Sequence, residues 1–127
     1  MSVDICPFCN LPAELILFEN SLTFAVLDKF PASPGHLLVI PFRHVASYWE
    51  LHEDEVRAVN DLLKQCKLYV DEKFSPHGYN IGVNVGKPAG QTVMHVHVHL
   101  IPRYKGDVED PVGGVRNTIP GKGNYLS

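Results

Sequence analysis

Residues 92–101 read Thr-Val-Met-His-Val-His-Val-His-Leu-Ile, and no other stretch restricts the fold so strongly. Alternation with period two predicts a β-strand. His95, His97 and His99 then share one face, and Met94, Val96, Val98 and Leu100 share the face that can join a core. Same-face neighbours sit about 6.6 Å apart, so the three imidazoles line up over about 13 Å. A strand that merely faced solvent would be served equally well by serine, threonine or lysine. A metal site made from these three rings alone needs them to converge on an ion about 2.0–2.1 Å from each nitrogen, which that spacing opposes. A catalytic face meets neither objection. A neutral imidazole, with its ordinary pKa of about 6.5, is a good nucleophile toward phosphorus, and its neighbours can donate to phosphate oxygens. Gly90, Gln91 and Thr92 precede the row and Asn84 lies just upstream; glycine lets backbone N–H groups approach an anion, and Gln91 adds an amide.

The rest of the chain supplies a small α+β domain. Residues 13–18 and 22–27 are β-prone runs around a Glu19-Asn20-Ser21 turn and read as a hairpin. A turn cluster at residues 31–35 leads into a buried strand, residues 36–40, that stops at Pro41. Glu53, Asp54 and Glu55 open a helix on which Val56, Val59, Leu63, Cys66 and Val70 form one apolar stripe, with Leu62 and Tyr69 beside it. Cys66 reads as a core thiol, and His52 and His77 as surface residues, His52 also as a cap of the helix. A strand at residues 79–83 and the histidine strand, residues 92–101, complete a mostly antiparallel five-stranded sheet. Residues 1–104 form the domain, and residues 105–127, rich in Gly, Pro and Asp, are expected to be an irregular tail.

At this point the sequence resembles the histidine triad (HIT) superfamily of nucleotide hydrolases and transferases. The match rests on His95, His97 and His99 with apolar spacers, Gly90-Gln91-Thr92, Asn84, the Pro34-Gly35-His36 turn into Leu37-Leu38-Val39-Ile40-Pro41, and Asp28 after the second strand. The resemblance implies that His97 attacks an α-phosphorus and forms a covalent nucleotidyl-histidine. It implies that His99 contacts the phosphate and helps the leaving group, that Gly90, Gln91, Thr92 and Asn84 bind phosphate oxygens, and that Asp28 holds the ribose hydroxyls. The base would lie among Phe8, Leu17, Val26 and Leu27, and His36 would support the row from the next strand. A strand-end turn residue is the plainer reading of Asp28, and a satisfied packing histidine that of His36.

Cys6-Pro7-Phe8-Cys9 is a C-x-x-C knuckle. A redox role needs a reactive cysteine at a helix N-terminus, which Asn10-Leu11-Pro12 does not offer. Two free thiols or half of a zinc site remain. His44, after Pro41-Phe42-Arg43, and His95 are the candidate second half, and HIT members that carry such a knuckle resemble this arrangement. Zinc held by Cys6, Cys9, His44 and His95 would be structural and would fix the first triad histidine.

Substrates implied by the resemblance are dinucleoside polyphosphates such as diadenosine tetraphosphate, cleaved by hydrolysis or phosphorolysis; nucleoside phosphoramidates are the alternative. Thr92 and the stretch Leu100 to Asp107 point to the polyphosphate branch, where Arg103 and Lys105 would help hold a longer phosphate chain. A non-catalytic AMP-binding module, or a zinc-stabilised interaction protein with a vestigial pocket, is the reading from another class. A net charge of −3 without a basic stripe argues against nucleic acid. No apolar run reaches the roughly 20 residues of a membrane span. Three cysteines without framework spacing, and no leader-like N-terminus, predict a cytoplasmic protein. Pockets at the edge of a small sheet, together with Leu62 and Tyr69, predict a homodimer.

Overall fold

The computed structural model describes residues 2–126. Five strands, β1 (Phe18–Glu19), β2 (Thr23–Leu27), β3 (Leu37–Pro41), β4 (Gly78–Val83) and β5 (Val98–Arg103), surround in sequence one helix, α1 (Glu53–Phe74), between β3 and β4. The sheet order is β1-β2-β3-β5-β4, and every pairing is antiparallel. This is the expected α+β architecture with one long helix.

Strand alternation gives the sheet two different faces. Ala25, Leu37, Val39, Val98 and Leu100 meet Val59, Leu62, Leu63, Cys66 and Val70 of α1 in the main core. Each such leucine or valine contributes on the order of 1.5–3 kcal/mol by leaving water, so packing of the stripe holds α1 to the sheet. Phe24, Val26, Leu38 and Ile40 form a smaller cluster on the other face, with Phe8, Leu11 and Ile16 against it. His99 pairs with Leu38 on one side and Gly82 on the other, which places its side chain on this second face.

Both ends of α1 are fixed to the segments that carry site residues. At its start, buried Glu55 accepts from the His52 N–H at 2.8 Å and from Arg43 Nη2 at 2.7 Å. The ion pair ties the helix to the segment just before His44. His52 therefore acts through its backbone, while its ring stays 67% exposed. At its end, Gly35 passes beneath Phe74 with φ +88°, and a Cβ there would sit 3.0 Å from the Phe74 ring. Only glycine makes this turn, which delivers His36 to the foot of β3.

Three expectations are corrected. Residues 13–18 do not form a strand: Ala13–Leu15 is a 3-10 turn entered from Pro12, and β1 is two residues long. The histidine strand begins at Val98 rather than residue 92, because the Val96 N–H leaves the ladder for the Val45 carbonyl at 2.8 Å. Leu62 is 1% exposed inside the core and offers no free partner face, while Tyr69 is half-buried and packs edge-on against Phe18, ring centroids 5.4 Å apart. Beyond β5, residues 105–126 contain one 3-10 turn, Gly114–Thr118, lying against β4.

Candidate functional site

His95 and His97 lead into β5 and His99 lies near its start, and in each a protein group decides which ring nitrogen carries the proton. The Pro41 carbonyl lies 2.8 Å from His95 Nε2, so that nitrogen donates and Nδ1 keeps its lone pair. The His95 carbonyl lies 2.9 Å from His97 Nδ1, so Nδ1 donates and the lone pair of His97 is on Nε2. The Ala32 N–H donates to His36 Nδ1 at 2.9 Å, so His36 donates from Nε2 to His99 Nδ1 at 3.0 Å. His99 must then carry its proton on Nε2, a buried atom without a protein partner among the described residues. A nucleophile-ready Nε2 on His97 thus stands beside a donor-ready Nε2–H on His99, ring centroids 5.1 Å apart. Sequence reasoning could not find the groups that set these tautomers, since the Pro41 and His95 carbonyls and the Ala32 N–H are backbone atoms.

The electrostatics favour the neutral forms of His99 and His36. Burial, then the neighbouring His97 and His36, push His99 down to about 4, with Asp28 opposing. Burial also lowers His36, against the pull of Asp28, whose carboxylate lies 3.4 Å from His36 Nε2. Unfolded, His99 binds its proton near pH 6.5. Between about pH 6.5 and 4 the unfolded chain therefore holds more protons, and stability falls as pH falls through that window. For a part-buried ring the loss is on the order of 2 kcal/mol. Urea titrations at pH 7, 6, 5 and 4 should show this slope and His99→Gln should flatten it; an equal slope in the variant would refute the assignment.

A second constellation lies beside the first. Sγ of Cys6 and Cys9 and Nδ1 of His44 and His95 all fall within 4.8 Å of one another. The His44–His95 separation is 3.1 Å, and the sulfur–nitrogen separations are 3.2, 3.4 and 3.5 Å. Tetrahedral bonds of about 2.0–2.1 Å to nitrogen and 2.3 Å to sulfur require edges of roughly 3.3 and 3.5 Å. The donor set fits a closed divalent-metal site, and the Pro41 carbonyl already holds the His95 lone pair on the inward nitrogen. Asp28, His36 and His99 also gather three ligand atoms. There the chemistry does not fit, because His36 Nε2 is protonated by the Ala32 constraint. In that trio His36 Nε2 donates to His99 Nδ1, and the Asp28 carboxylate lies 3.4 Å from the same His36 nitrogen. The third cysteine, Cys66, is fully buried in the core, and burial pushes its thiol up to about 12.

The remaining expected residues divide. Phe8, carried between the two cysteines, sets its ring 5.0 Å from His97 and 5.9 Å from His95, and it shares a cluster with Val26. Leu17 packs instead on the helix-side core, and Leu27 falls on that same side by strand parity, 44% exposed. Neither joins Phe8. Asn84 directly follows Val83, the last residue of β4, which pairs with Val98 at the start of β5. Asp28 receives the Phe30 N–H at 2.8 Å, a turn contact, as well as approaching His36.

Gln91 does not present its amide to the site. Its Nε2 donates to the carbonyls of Ala46 at 2.7 Å and Val93 at 3.0 Å, and its Oε1 accepts from the Gly86 N–H at 2.9 Å. It fastens the loop. The N–H groups of Gly90 and Gln91 return to the carbonyls of Lys87 and Gly86, so no backbone nest forms there. Thr92, which follows Gln91, is exposed. Arg103 grips Asp107 at 2.7 and 2.9 Å and Asn80 at 2.6 Å, so it is not a free phosphate contact.

A small antiparallel α+β domain with a tautomer-locked histidine row beside a two-cysteine, two-histidine cluster defines a histidine-triad protein. The HIT domain family model matches residues 11–106, and the chain belongs to that family. It is 34% identical over 107 residues to an AP-4-A phosphorylase of Mycobacterium tuberculosis, covering 80% of this chain and 55% of the relative. It is 39% identical over 95 residues to a bis(5'-adenosyl)-triphosphatase of Dictyostelium discoideum, covering 75% and 64%. The chain thus spans less than two thirds of each of these two named relatives. Among solved structures, a zinc-bound histidine triad family protein from Mycobacterium smegmatis superposes with a TM-score of 0.75 at 31% identity, covering 84% of this chain and 80% of the other.

Proposed function

We propose that this chain is an enzyme that transfers nucleotidyl groups from dinucleoside polyphosphates, such as diadenosine tetraphosphate, to water or phosphate through a covalent His97 intermediate. The observation that carries the reading is the His97 Nδ1–H bond to the His95 carbonyl, which leaves Nε2 as the attacking lone pair. The Nε2–phosphorus bond forms while the bridging oxygen–phosphorus bond breaks, and the leaving phosphate chain takes the electron pair. The buried Nε2–H of His99 donates to the oxygens that gain charge. The positive charge on the His97 ring is stabilised by the His95 carbonyl at Nδ1. Water or phosphate then attacks phosphorus, water releasing a proton to solvent, while the Nε2–phosphorus bond breaks and its electron pair returns to Nε2. Thr92, Asn84 and His99 take the phosphate oxygens in this reading. Asp28 accepts the ribose hydroxyls on its spare lone pairs, and the base lies against Phe8 and Val26.

The named relatives support the substrate class: one is a phosphorylase and the other a hydrolase of diadenosine compounds. They differ in acceptor, so product analysis with and without inorganic phosphate decides between ADP and AMP as the released nucleotide. The direct test is rapid quenching without acid, then mass analysis of peptides. An added AMP on the peptide containing His97, at the Nε2 position, is expected; an adduct on His95 or His99, or none at any time, overturns the reading. Faster turnover of adenosine phosphoramidate than of any dinucleotide would move the substrate class.

The Cys6–Cys9–His44–His95 cluster is proposed to hold one zinc ion, supported by its donor spacing and by the zinc-bound relative. Zinc there supplies a cross-link between the knuckle and the sheet and takes no part in bond making. The partner is proposed to be a second copy: β4 is an outer strand of the sheet with Ile81 53% exposed, and light scattering that returns the mass of one chain would sink that proposal. Among the described residues no helix is long and apolar enough to cross a membrane; a cytoplasmic location is proposed.

A further inference from the structure

We infer that the groove between the histidine face of the sheet and residues 107–117 receives the second nucleoside of the substrate, the part that departs with the leaving phosphate chain. This rests on the nucleotidyl-transfer reading and deepens it.

The floor of the groove continues the histidine row. Along β5, His99, Ile101 and Arg103 follow one another on one face, about 6.6 Å apart, and Asn80 of β4 pairs with Ile101. Ile101, Asn80 and Ser33 line one side of a cavity of about 520 Å³, and Val108, Asp110 and Asn117 line the other. The volume falls in the range of about 300–1,000 Å³ that holds small molecules. A leaving chain of several phosphates that starts over His97 and crosses His99 brings its nucleoside to Ile101.

The outer wall is a built structure. Asn124 donates to Asp110 at 2.9 Å, and Arg116 Nε donates to the carbonyls of Lys122 at 3.1 Å and Gly123 at 3.3 Å. Gly113, at φ +89°, crosses Gly123 so closely that a Cβ would run into the Gly123 carbonyl. The wall lies beyond residues 11–106, the part that matches the HIT domain.

Its chemistry favours a neutral, planar guest. Arg103 is spent on Asp107 and Asn80, and Asp110 adds a second carboxylate. A phosphate would meet repulsion here and no available cation. Ile101 and Val108 suit the flat face of a base. With its Oδ1 taken by Arg103, Asn80 keeps Nδ2 as a donor, and Asp110 keeps lone pairs as an acceptor, which suits the mixed edge of a base.

The test compares diadenosine tetraphosphate with adenosine 5'-tetraphosphate, which offers the same scissile bond and lacks the far nucleoside. Wild type should prefer the dinucleotide by about tenfold in kcat/KM. Gly113→Ala displaces the wall, and Val108→Trp, at a residue 47% exposed, fills the groove. Each should raise KM for the dinucleotide about tenfold with kcat within about twofold, and leave the mononucleotide constants unchanged. Equal changes for both substrates, no change for either, or a wild type that labels His97 yet shows no preference would overturn the inference alone. A wild type that cleaves neither compound would overturn the reading beneath it as well.

Discussion

Replacing His97 with alanine is expected to lower kcat for diadenosine tetraphosphate by at least about 10⁴-fold while AMP affinity changes by less than about threefold. The asymmetry follows from where the atoms lie. His97 supplies the Nε2 lone pair, and no other ring offers one at that place. His99 carries its proton on Nε2, and the Nδ1 lone pair of His95 faces the cysteines. Water in place of His97 loses a positioned nucleophile and the charge stabilisation at the His95 carbonyl. In the proposed reading, ground-state binding draws on other groups: the apolar cluster of Phe8, Val26 and Leu38 for the base, Asp28 for the ribose, and His99 for phosphate. The interaction removed is made only along the reaction path, so its loss appears in kcat. Single-turnover kinetics and calorimetric titration with AMP measure the two quantities. Turnover within tenfold of wild type would remove His97 from the reaction.

Much of this site was legible because side-chain alternation survives even where the ladder does not. The apolar spacers Val98 and Leu100 reach the helix-side core as their period demands, and the stripe of α1 closes on them. The backbone was less legible. Nothing near residue 96 announces that its N–H pairs with Val45, 51 positions away, yet that bond ends β5 at Val98 and frees His95 to turn into the cysteine cluster. Gln91 misleads for the same reason. Its residue type and glycine neighbour suit an anion, but the carbonyl of Ala46, 45 positions away, takes its amide.

Some misses had signals. Arg103 and Asp107 stand four apart, a spacing that suggests an internal pair before it suggests a phosphate contact. Leu27 has the parity of Ala25, which faces the helix, so the alternation rule used for the histidines also removes it from the base site. Leu62 lies three residues after Val59 and belongs to the same helical stripe, which explains why it is core rather than interface. The His36–His99 contact, across 63 residues, became visible only when β3 and β5 were seen to pair.

Cys9→Ser should carry almost no zinc, where wild type prepared without chelator is expected to carry about one ion per chain, and should lose about 3 kcal/mol of stability, roughly 10 °C in Tm. The protein has a packed core of its own, so metal loss should weaken the fold without abolishing it. The knuckle is the part at stake: apart from the cluster, Cys6 to Cys9 is held by the Asn10 amide and by the packing of Phe8. Chemistry should suffer too, because His95 has two duties. Its ring is a proposed zinc ligand and its carbonyl fixes the His97 tautomer, while Phe8 of the knuckle leans on the His97 ring. A rate loss of about tenfold, far short of that in His97→Ala, is therefore expected in Cys9→Ser. Chelation of wild type should reproduce both losses and added zinc should reverse them. If elemental analysis finds no zinc in wild type, or Cys9→Ser keeps its Tm, the cluster is a set of hydrogen-bonded thiols and imidazoles and the metal assignment fails.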